Sequence, residues 1–138
     1  MQVSRIRALR GPNLWSRHTA IEAIVCCTDD ECNIDNLPGF ETRLRERFPE
    51  LAMLRPLGHD EAVSMAQALE FAALGLQAQA GCPVTFSRTA QTVEVGTYQV
   101  VVEYSEEPVG RLAFELAEDL CRAAGENTAF DLDAALDR

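Results

Sequence analysis

From position 3 to 9 the chain reads Val-Ser-Arg-Ile-Arg-Ala-Leu. This alternation predicts a half-exposed strand with Ser4, Ile6 and Ala8 on one face and Arg5 and Arg7 on the other. Gly11-Pro12-Asn13 breaks the pattern, and Trp15 follows in a loop, where its ring is expected to be a packing anchor rather than a ligand platform. A second strand is predicted from Ala20 to Cys27, apolar on both faces. Polar residues Asp29, Asp30, Asn33, Asp35 and Asn36 then lead to a short helix opened by Pro38. That helix sets Phe40, Leu44 and Phe48 on one side and is closed by Pro49.

The longest helical pattern runs from Asp60, a suitable N-cap, to Gly81, with a stripe of Ala62, Ala66, Leu69, Ala73, Leu76 and Ala80. Small side chains let a helix approach its neighbours closely, which places this element near the centre of the fold. Cys82-Pro83 forces an exit, and a short strand is predicted around Val84 to Ser87. Gly96 then turns the chain into Tyr98–Tyr104, the clearest strand by its valines and aromatics. Pro108 starts a helix in which Leu112, Leu116 and Leu120 recur with Ala113, Ala117, Cys121 and Ala124, and Gly125 ends it. Residues 130–138 have the opening turns of a further helix that reaches the last residue without a cap, as where a longer protein is cut. The order β-β-α-α-β-β-α predicts a single α+β domain over residues 1–138. Its mixed or antiparallel sheet of about four strands is covered by three or four helices.

Composition sharpens this picture where it excludes functions. Hydrophobic residues make up 47% and charged residues 25%, the balance of a chain that folds around a core. All 22 acids lie beyond residue 20, whereas Arg5, Arg7, Arg10 and Arg17 stand in the first segment. A pI near 4.6 argues against binding nucleic acid or an anionic membrane, which want a basic face. No apolar run approaches the roughly 20 residues that a membrane-spanning helix needs. All twelve basic side chains are arginine; composition bias is the first explanation, although the guanidinium fork also suits carboxylates. Cys26, Cys27, Cys32, Cys82 and Cys121 show no recurring pair spacing and follow no secretory signal, so a reduced, cytoplasmic protein with structural cysteines is expected.

Little in the chain points to catalysis. Only His18 and His59 are available as bases, neither in a nucleophile motif, and the scattered glycines form no phosphate loop. Asp29, Asp30, Glu31 and Asp35 lack the ligand spacing and turn glycine of a calcium loop. Glu106 and Glu107 favour the positive end of the last helix without any substrate. No catalytic residue and no metal ligand is therefore assigned.

Four stretches carry a resemblance: Leu9-Arg10-Gly11-Pro12-Asn13-Leu14-Trp15-Ser16, Leu76-Gln77-Ala78-Gln79-Ala80-Gly81-Cys82-Pro83-Val84, Phe86-Ser87-Arg88-Thr89, and Gly96-Thr97-Tyr98-Gln99-Val100-Val101-Val102-Glu103-Tyr104. In order and spacing the chain from Val3 to Ala124 resembles the amino-terminal domain of cyanophycin synthetases. The resemblance implies a parent ligase in which an ATP-grasp domain and a Mur-ligase-like domain, using ATP and Mg outside this chain, add Asp and Arg alternately. It also implies a homo-oligomer for the full-length protein. The domain itself is expected to hold the polymer, a polyaspartate backbone with Arg on each side chain, without a cofactor of its own. Arg10, Arg88, Glu103 and Arg111 are the expected polymer contacts. Each has a structural alternative: Arg10 tying down the Gly-Pro turn, Glu103 pairing across strands, Arg111 pairing within its helix.

Some members of that family use this domain as a metal-dependent hydrolase, with a His-x-x-Glu-His motif and a further Glu on the long helix. The matching window here is Gln67-Ala68-Leu69-Glu70-Phe71, with Gly75 in place of the further Glu. Zinc takes about three protein ligands, so Glu70 alone is insufficient and no hydrolysis is expected. The alternatives to a polymer-binding module are a hydrolase with unexpected ligands and a domain that only docks to its neighbours.

Overall fold

The computed structural model describes residues 1–13, 17–51 and 62–136. Four strands form one antiparallel sheet: β1 (Gln2–Leu9), β2 (Ala20–Cys26), β3 (Ser87–Gln91) and β4 (Thr97–Glu103), in the spatial order β1-β2-β4-β3. The helices are α1 (Phe40–Arg47), α2 (Met65–Gln79), α3 (Glu107–Glu126) and α4 (Leu132–Leu136), with a 3-10 turn at Ile34–Asn36. The α+β expectation holds, and the sheet is wholly antiparallel.

Directly paired residues in a sheet share a face. Ile21, Ala23 and Val25 of β2 therefore align with Val102, Val100 and Tyr98 of β4, and they join the helices in one continuous core. Helix α2 packs on β3, β4 and α3, as its alanines require: Ala66, Ala68 and Ala72 are fully buried. Phe40, Leu44 and Phe48 of the α1 region are fully buried too, and α1 packs against α3. The opposite face of the sheet carries Arg7, Leu9, Ala20, Glu22, Ile24, Arg88, Gln99, Val101 and Glu103. Ala20, Val101, Glu22 and Glu103 on this face are buried, but its apolar residues Leu9, Ala20, Ile24 and Val101 do not join the core cluster that the described helices share with the other face.

Several expectations shift. A bulge between Ser4 and Arg7 sets Arg5 at φ 50, and the alternation in β1 is broken so that Ser4 and Arg7 share the helix-free face. Because β1 is an edge strand, the bulge and its arginines also blunt pairing with other chains. Helix α2 starts at Met65, capped by Ser64, whose hydroxyl accepts from the Gln67 N–H at 3.2 Å while Gln67 Oε1 accepts from the Ser64 N–H at 2.9 Å. Ala62 stands outside the helix, and Asp60, His59 and Trp15 lie outside the described residues. The strand expected at Val84–Ser87 forms at Ser87–Gln91, where Ser87, Thr89 and Gln91 pair with Val102, Val100 and Tyr98. The longest helix is α3, of 20 residues against 15 for α2, and it ends on left-handed Asn127 rather than at Gly125. Leu112, expected in its apolar stripe, is 40% exposed.

At the start of β1 the Met1 ammonium donates to Glu31 Oε2 at 2.7 Å, and the Thr28 N–H donates to Glu31 Oε1 at 2.9 Å. Burial pushes the Glu31 carboxyl up, but the ammonium and the Thr28 hydrogen bonds outweigh it and hold the group below its ordinary value. A carboxyl depressed in the folded state stabilises the fold above its unfolded pKa. That contribution is lost as pH falls through the folded pKa. Glu31→Gln is thus expected to lower the urea midpoint at pH 7, with the gap to the parent protein narrowing as pH falls below the ordinary carboxylate range. A gap that does not change with pH refutes the ionic role.

Candidate functional site

The helix-free face of the sheet and the cleft at its Glu103 end form the candidate site. Pairing fixes a row across the sheet: Arg7 on β1, Glu22 on β2, Val101 on β4 and Arg88 on β3. Glu22 lies between Ile21 and Ala23 in a strand expected to be apolar on both faces. It is 6% exposed, because Arg7 Nε donates to its Oε1 at 2.7 Å and Gln99 Nε2 to its Oε2 at 2.8 Å. The two donors satisfy a carboxylate that burial alone would disfavour. Arg7 stays 66% exposed on its side chain and keeps guanidinium N–H groups toward solvent.

The adjacent row ends in Leu9, Ala20 and Glu103, and there the chain closes a cleft of about 490 Å³ lined by Gly11, Arg17, His18, Thr19, residues 83–85 and 103–105. Glu103 is only 3% exposed, and its backbone is fixed from both sides: its N–H donates to Phe86 O at 3.0 Å, and its carbonyl accepts from Gln77 Nε2 at 2.8 Å. Thr19 is clamped to Tyr104 by two hydrogen bonds, Tyr104 N–H to Thr19 O at 3.1 Å and Thr19 Oγ1 to Tyr104 O at 3.0 Å. The rim is built by the segment after β1. Asn13 Nδ2 donates to Arg10 O at 3.2 Å and to His18 O at 2.9 Å, drawing the two ends of that segment together. Gly11 is required there, since a Cβ would stand 2.5 Å from Arg17 O and 2.8 Å from the His18 carbonyl carbon.

Of the four residues singled out in the sequence, Glu103 lines the cleft, Arg10 adjoins its wall, and Arg88 lies on the same sheet face. Arg111 is elsewhere, on α3 in the helical layer, where its Nε and a terminal nitrogen hold Glu107 at 3.1 and 3.0 Å. That is the within-helix pair given as its structural alternative. Arg7, Glu22, Gln99 and Arg17 were not named as polymer contacts, and His18 was weighed only as a base. Strand pairing brings Arg7, Glu22 and Gln99 together, while Arg17 and His18 line the cleft at the end of the sheet; the legible signals were the basic first segment, which holds Arg7 and Arg17, and Glu22 standing in an apolar run.

On α2, the positions that the resemblance aligns with a hydrolase motif are engaged in other interactions. Glu70 is 6% exposed and accepts from Ser87 Oγ at 2.5 Å and from Thr89 Oγ1 at 2.7 Å. Gln67 is engaged in the helix cap, and Phe71 packs against the core. A Cβ on Gly75 would meet the fully buried Phe48 ring at 3.3 Å. Among the described residues, no three His, Cys, Asp or Glu side chains are grouped as a metal ion requires. Of the five thiols, Cys121 is buried, Cys27, Cys32 and Cys82 are half-buried and Cys26 is exposed. Burial pushes Cys121 up to about 12, and burial together with the Glu31 charge pushes Cys27 up to about 11. Both therefore stay protonated at neutral pH and are poor ligands or nucleophiles.

A second groove, of about 570 Å³, lies among Glu46, Arg47, Glu50, Gln79 and residues 129–133. The Arg47 nitrogens are already held by Thr128 and Arg43 carbonyls, and the carboxylates of Glu46, Glu50, Asp131 and Asp133 outnumber that positive charge.

Residues 23–125 match the family described as the cyanophycin synthase-like N-terminal domain. The chain belongs to this family. It is 38% identical over 135 residues to the cyanophycin synthetase of Trichormus variabilis, covering 89% of this chain and 15% of that protein. It is 35% identical to the cyanophycin synthetase of Geminocystis herdmanii over 147 residues, which cover 96% of this chain and 17% of the relative. To that of Synechocystis it is 32% identical over 145 residues, 96% of this chain and 16% of the relative. The chain thus spans about 15% of the length of these synthetases. No helix among the described residues is long and apolar enough to cross a membrane.

Proposed function

We propose that this domain holds cyanophycin for the catalytic parts of a longer, ATP-dependent cyanophycin synthetase, and does not itself cut the polymer. The helix-free sheet face carries this reading. It sets guanidinium groups at Arg7 and Arg88 on either side of the Glu22 carboxylate, and Glu103 stands one row away. A polyaspartate chain bearing Arg side chains presents both charges, and a surface with both signs in alternation pairs with it where a purely acidic one repels half of its groups. Exposed ion pairs are individually weak, so the affinity expected here comes from several contacts along the polymer and falls with salt.

The resemblance to the synthetases supports ATP-grasp and Mur-ligase-like domains as partners in the same polypeptide, a homo-oligomeric full-length protein and a cytoplasmic location. Loss of the hydrolytic site is supported by the uses found for positions 67, 70, 71 and 75: a helix cap, two hydroxyl contacts, core packing and contact with Phe48. A metal would have to displace these interactions with one carboxylate as its anchor.

The test is titration of the 138-residue chain with short cyanophycin segments at low and moderate salt, followed by heat or chemical shifts, with segment length measured afterwards. Salt-weakened binding with intact segments is the expected result, and Arg7→Ala and Arg88→Ala each weaken it. Shortened segments overturn the loss of hydrolysis, and absence of binding at any salt overturns the holding role.

A further inference from the structure

We infer that Arg7 is a carboxylate subsite on the helix-free face, and that Glu22 and Gln99 are positioning residues that hold one edge of its guanidinium and turn the other edge outward. The polymer as the source of that carboxylate rests on the proposed function; the aim of Arg7 does not.

Glu22 stands between Ile21 and Ala23, pairs directly with Val101 and is 6% exposed, at a position where an apolar side chain would lose no hydration. A buried carboxylate is commonly no more stabilising than an apolar residue of similar size, and pairing with an exposed arginine adds little. Stability is therefore a weak reason for a charge at 22, and geometry is a better one. Both oxygens are used. Gln99 Nε2 donates to Oε2 at 2.8 Å and fixes the carboxylate, and Oε1 accepts from Arg7 Nε at 2.7 Å. The bulge between Ser4 and Arg7 and the β1–β2 register bring the two side chains to one face.

A guanidinium is a rigid planar fork, so fixing its Nε–H fixes where its other donors point. The two terminal nitrogens lie at the far end of that plane, away from Glu22. Arg7 makes no other hydrogen bond or ion pair among the described residues, and its side chain is 66% exposed. The outward edge thus offers two parallel N–H donors, which a carboxylate accepts bidentately. Held at Nε, the side chain also has less rotamer freedom left to lose when a ligand binds. A phosphate matches the same fork, but its second charge is opposed by Glu22 and by a chain of formal charge -10. Glu22 repels a carboxylate too, weakly at an exposed edge, so its aiming of Arg7 and its charge act with opposite signs on binding.

That opposition makes the test decisive. The 138-residue chain is titrated with N-acetyl-L-arginine, with its amide, which keeps the guanidinium and lacks the carboxylate, with inorganic phosphate, and with short cyanophycin segments. The variants are Arg7→Ala, Glu22→Val, Glu22→Gln and Gln99→Ala. Valine and glutamine both remove the charge at 22, but only glutamine keeps an acceptor for Arg7 Nε. Gln99→Ala acts from a half-buried position and keeps the test intact if Glu22→Val unfolds. The Arg7 Nε–H resonance reports the hold itself: it is expected to stay distinct from that of free arginine in the parent chain and in Glu22→Gln, and to move toward it in Glu22→Val.

We expect the acid to bind in the millimolar range, its amide several-fold more weakly, and Arg7→Ala to lose about fivefold on the acid and nothing on the amide. Glu22→Val is expected to lose about threefold despite the like charge it removes, Glu22→Gln to recover most of that loss, and Gln99→Ala to fall between them. Binding that strengthens equally in both Glu22 variants overturns the positioning role, because charge alone then decides. An amide as tight as the acid, or an indifferent Arg7→Ala, overturns the carboxylate subsite, and phosphate binding ahead of the acid overturns the choice of carboxylate. Segments that weaken in step with the acid identify the polymer as the source. Acid binding through Arg7 with no segment binding leaves the subsite standing and removes the holding role. Segment binding indifferent to every variant overturns the subsite and leaves the holding role, and no binding of either overturns both.

Discussion

The triple variant Gln67→His, Phe71→His, Gly75→Glu is expected to retain no zinc, to leave cyanophycin segments intact, and to unfold at a much lower denaturant concentration than the parent chain. Each substitution writes back a residue of the hydrolase motif, and each removes something the fold uses. At 67 one half of the capping box is lost, the Gln67 side chain that accepts from the Ser64 N–H, while the Ser64 hydroxyl still accepts from the backbone N–H of residue 67. At 71 an aromatic side chain packed against the core becomes a smaller polar one. At 75 the new Cβ stands 3.3 Å from the Phe48 ring, and a carboxylate follows it toward a side chain with no solvent exposure. Together these place the loss at roughly 3–5 kcal/mol, a large share of the stability of a single domain. Glu70, the remaining ligand, stays hydrogen-bonded to Ser87 and Thr89. Urea unfolding, elemental analysis for metal and segment length are the readouts, and Gly75→Glu alone is the control that isolates the packing effect. Retained zinc with shortened segments overturns the reading that the uses of positions 67, 71 and 75 exclude a metal there.

Gly110→Ala is expected to destabilise the domain by about 1–2 kcal/mol, against the direction that helix propensity dictates. Alanine inside a helix is favoured over glycine by roughly 1 kcal/mol, and position 110 lies in the first turns of α3. Packing acts the other way and more strongly. A Cβ there would stand 2.6 Å from Tyr104 Cβ and 3.1 Å from Tyr104 Cγ, far inside the roughly 3.5–4.0 Å of ordinary carbon contact. The clash is with the root of the tyrosine side chain, which rotamer changes do not move. Relief needs a shift of α3 or of the Tyr104 backbone, and that backbone is hydrogen-bonded to Thr19. A urea midpoint equal to or above that of the parent chain means that α3 slides freely on the sheet.

Element type was legible wherever periodicity ran unbroken, and boundaries were legible only where a local residue sets them. Phe40, Leu44 and Phe48 were read as one buried side of α1, and all three are fully buried. Strand β4 was read one residue late at each end. Strand β3 was misplaced, because Val84 and Phe86 look like strand residues, while the ladder to β4 and the Glu70 contacts to Ser87 and Thr89 form further along. The start of α2 was read from Asp60, yet the reciprocal hydrogen bonds of Ser64 and Gln67 set it at Met65. In the site, Glu103, Arg88 and Arg10 came from the resemblance and fall on or beside one face, whereas Arg111 belongs to the helical layer.

The sequence by itself determined the α+β class, the small-residue helix at the centre, the amphipathic last helix and the family, since each depends on spacing and residue type along the chain. It also placed Gln67, Phe71 and Gly75 where the resemblance puts ligands of a hydrolase motif. Which charges meet was decided only by the tertiary structure. The bulge at Arg5 turns Arg7 to the helix-free face, the β1–β2 register sets it against Glu22, and the β2–β4 register adds Gln99. A slip of one residue in either ladder would send those side chains to the other face. The cleft likewise joins residues 11–19, 83–85 and 103–105, far apart in the chain, and exists because strand pairing and the α2 exit deliver them to the same end of the sheet.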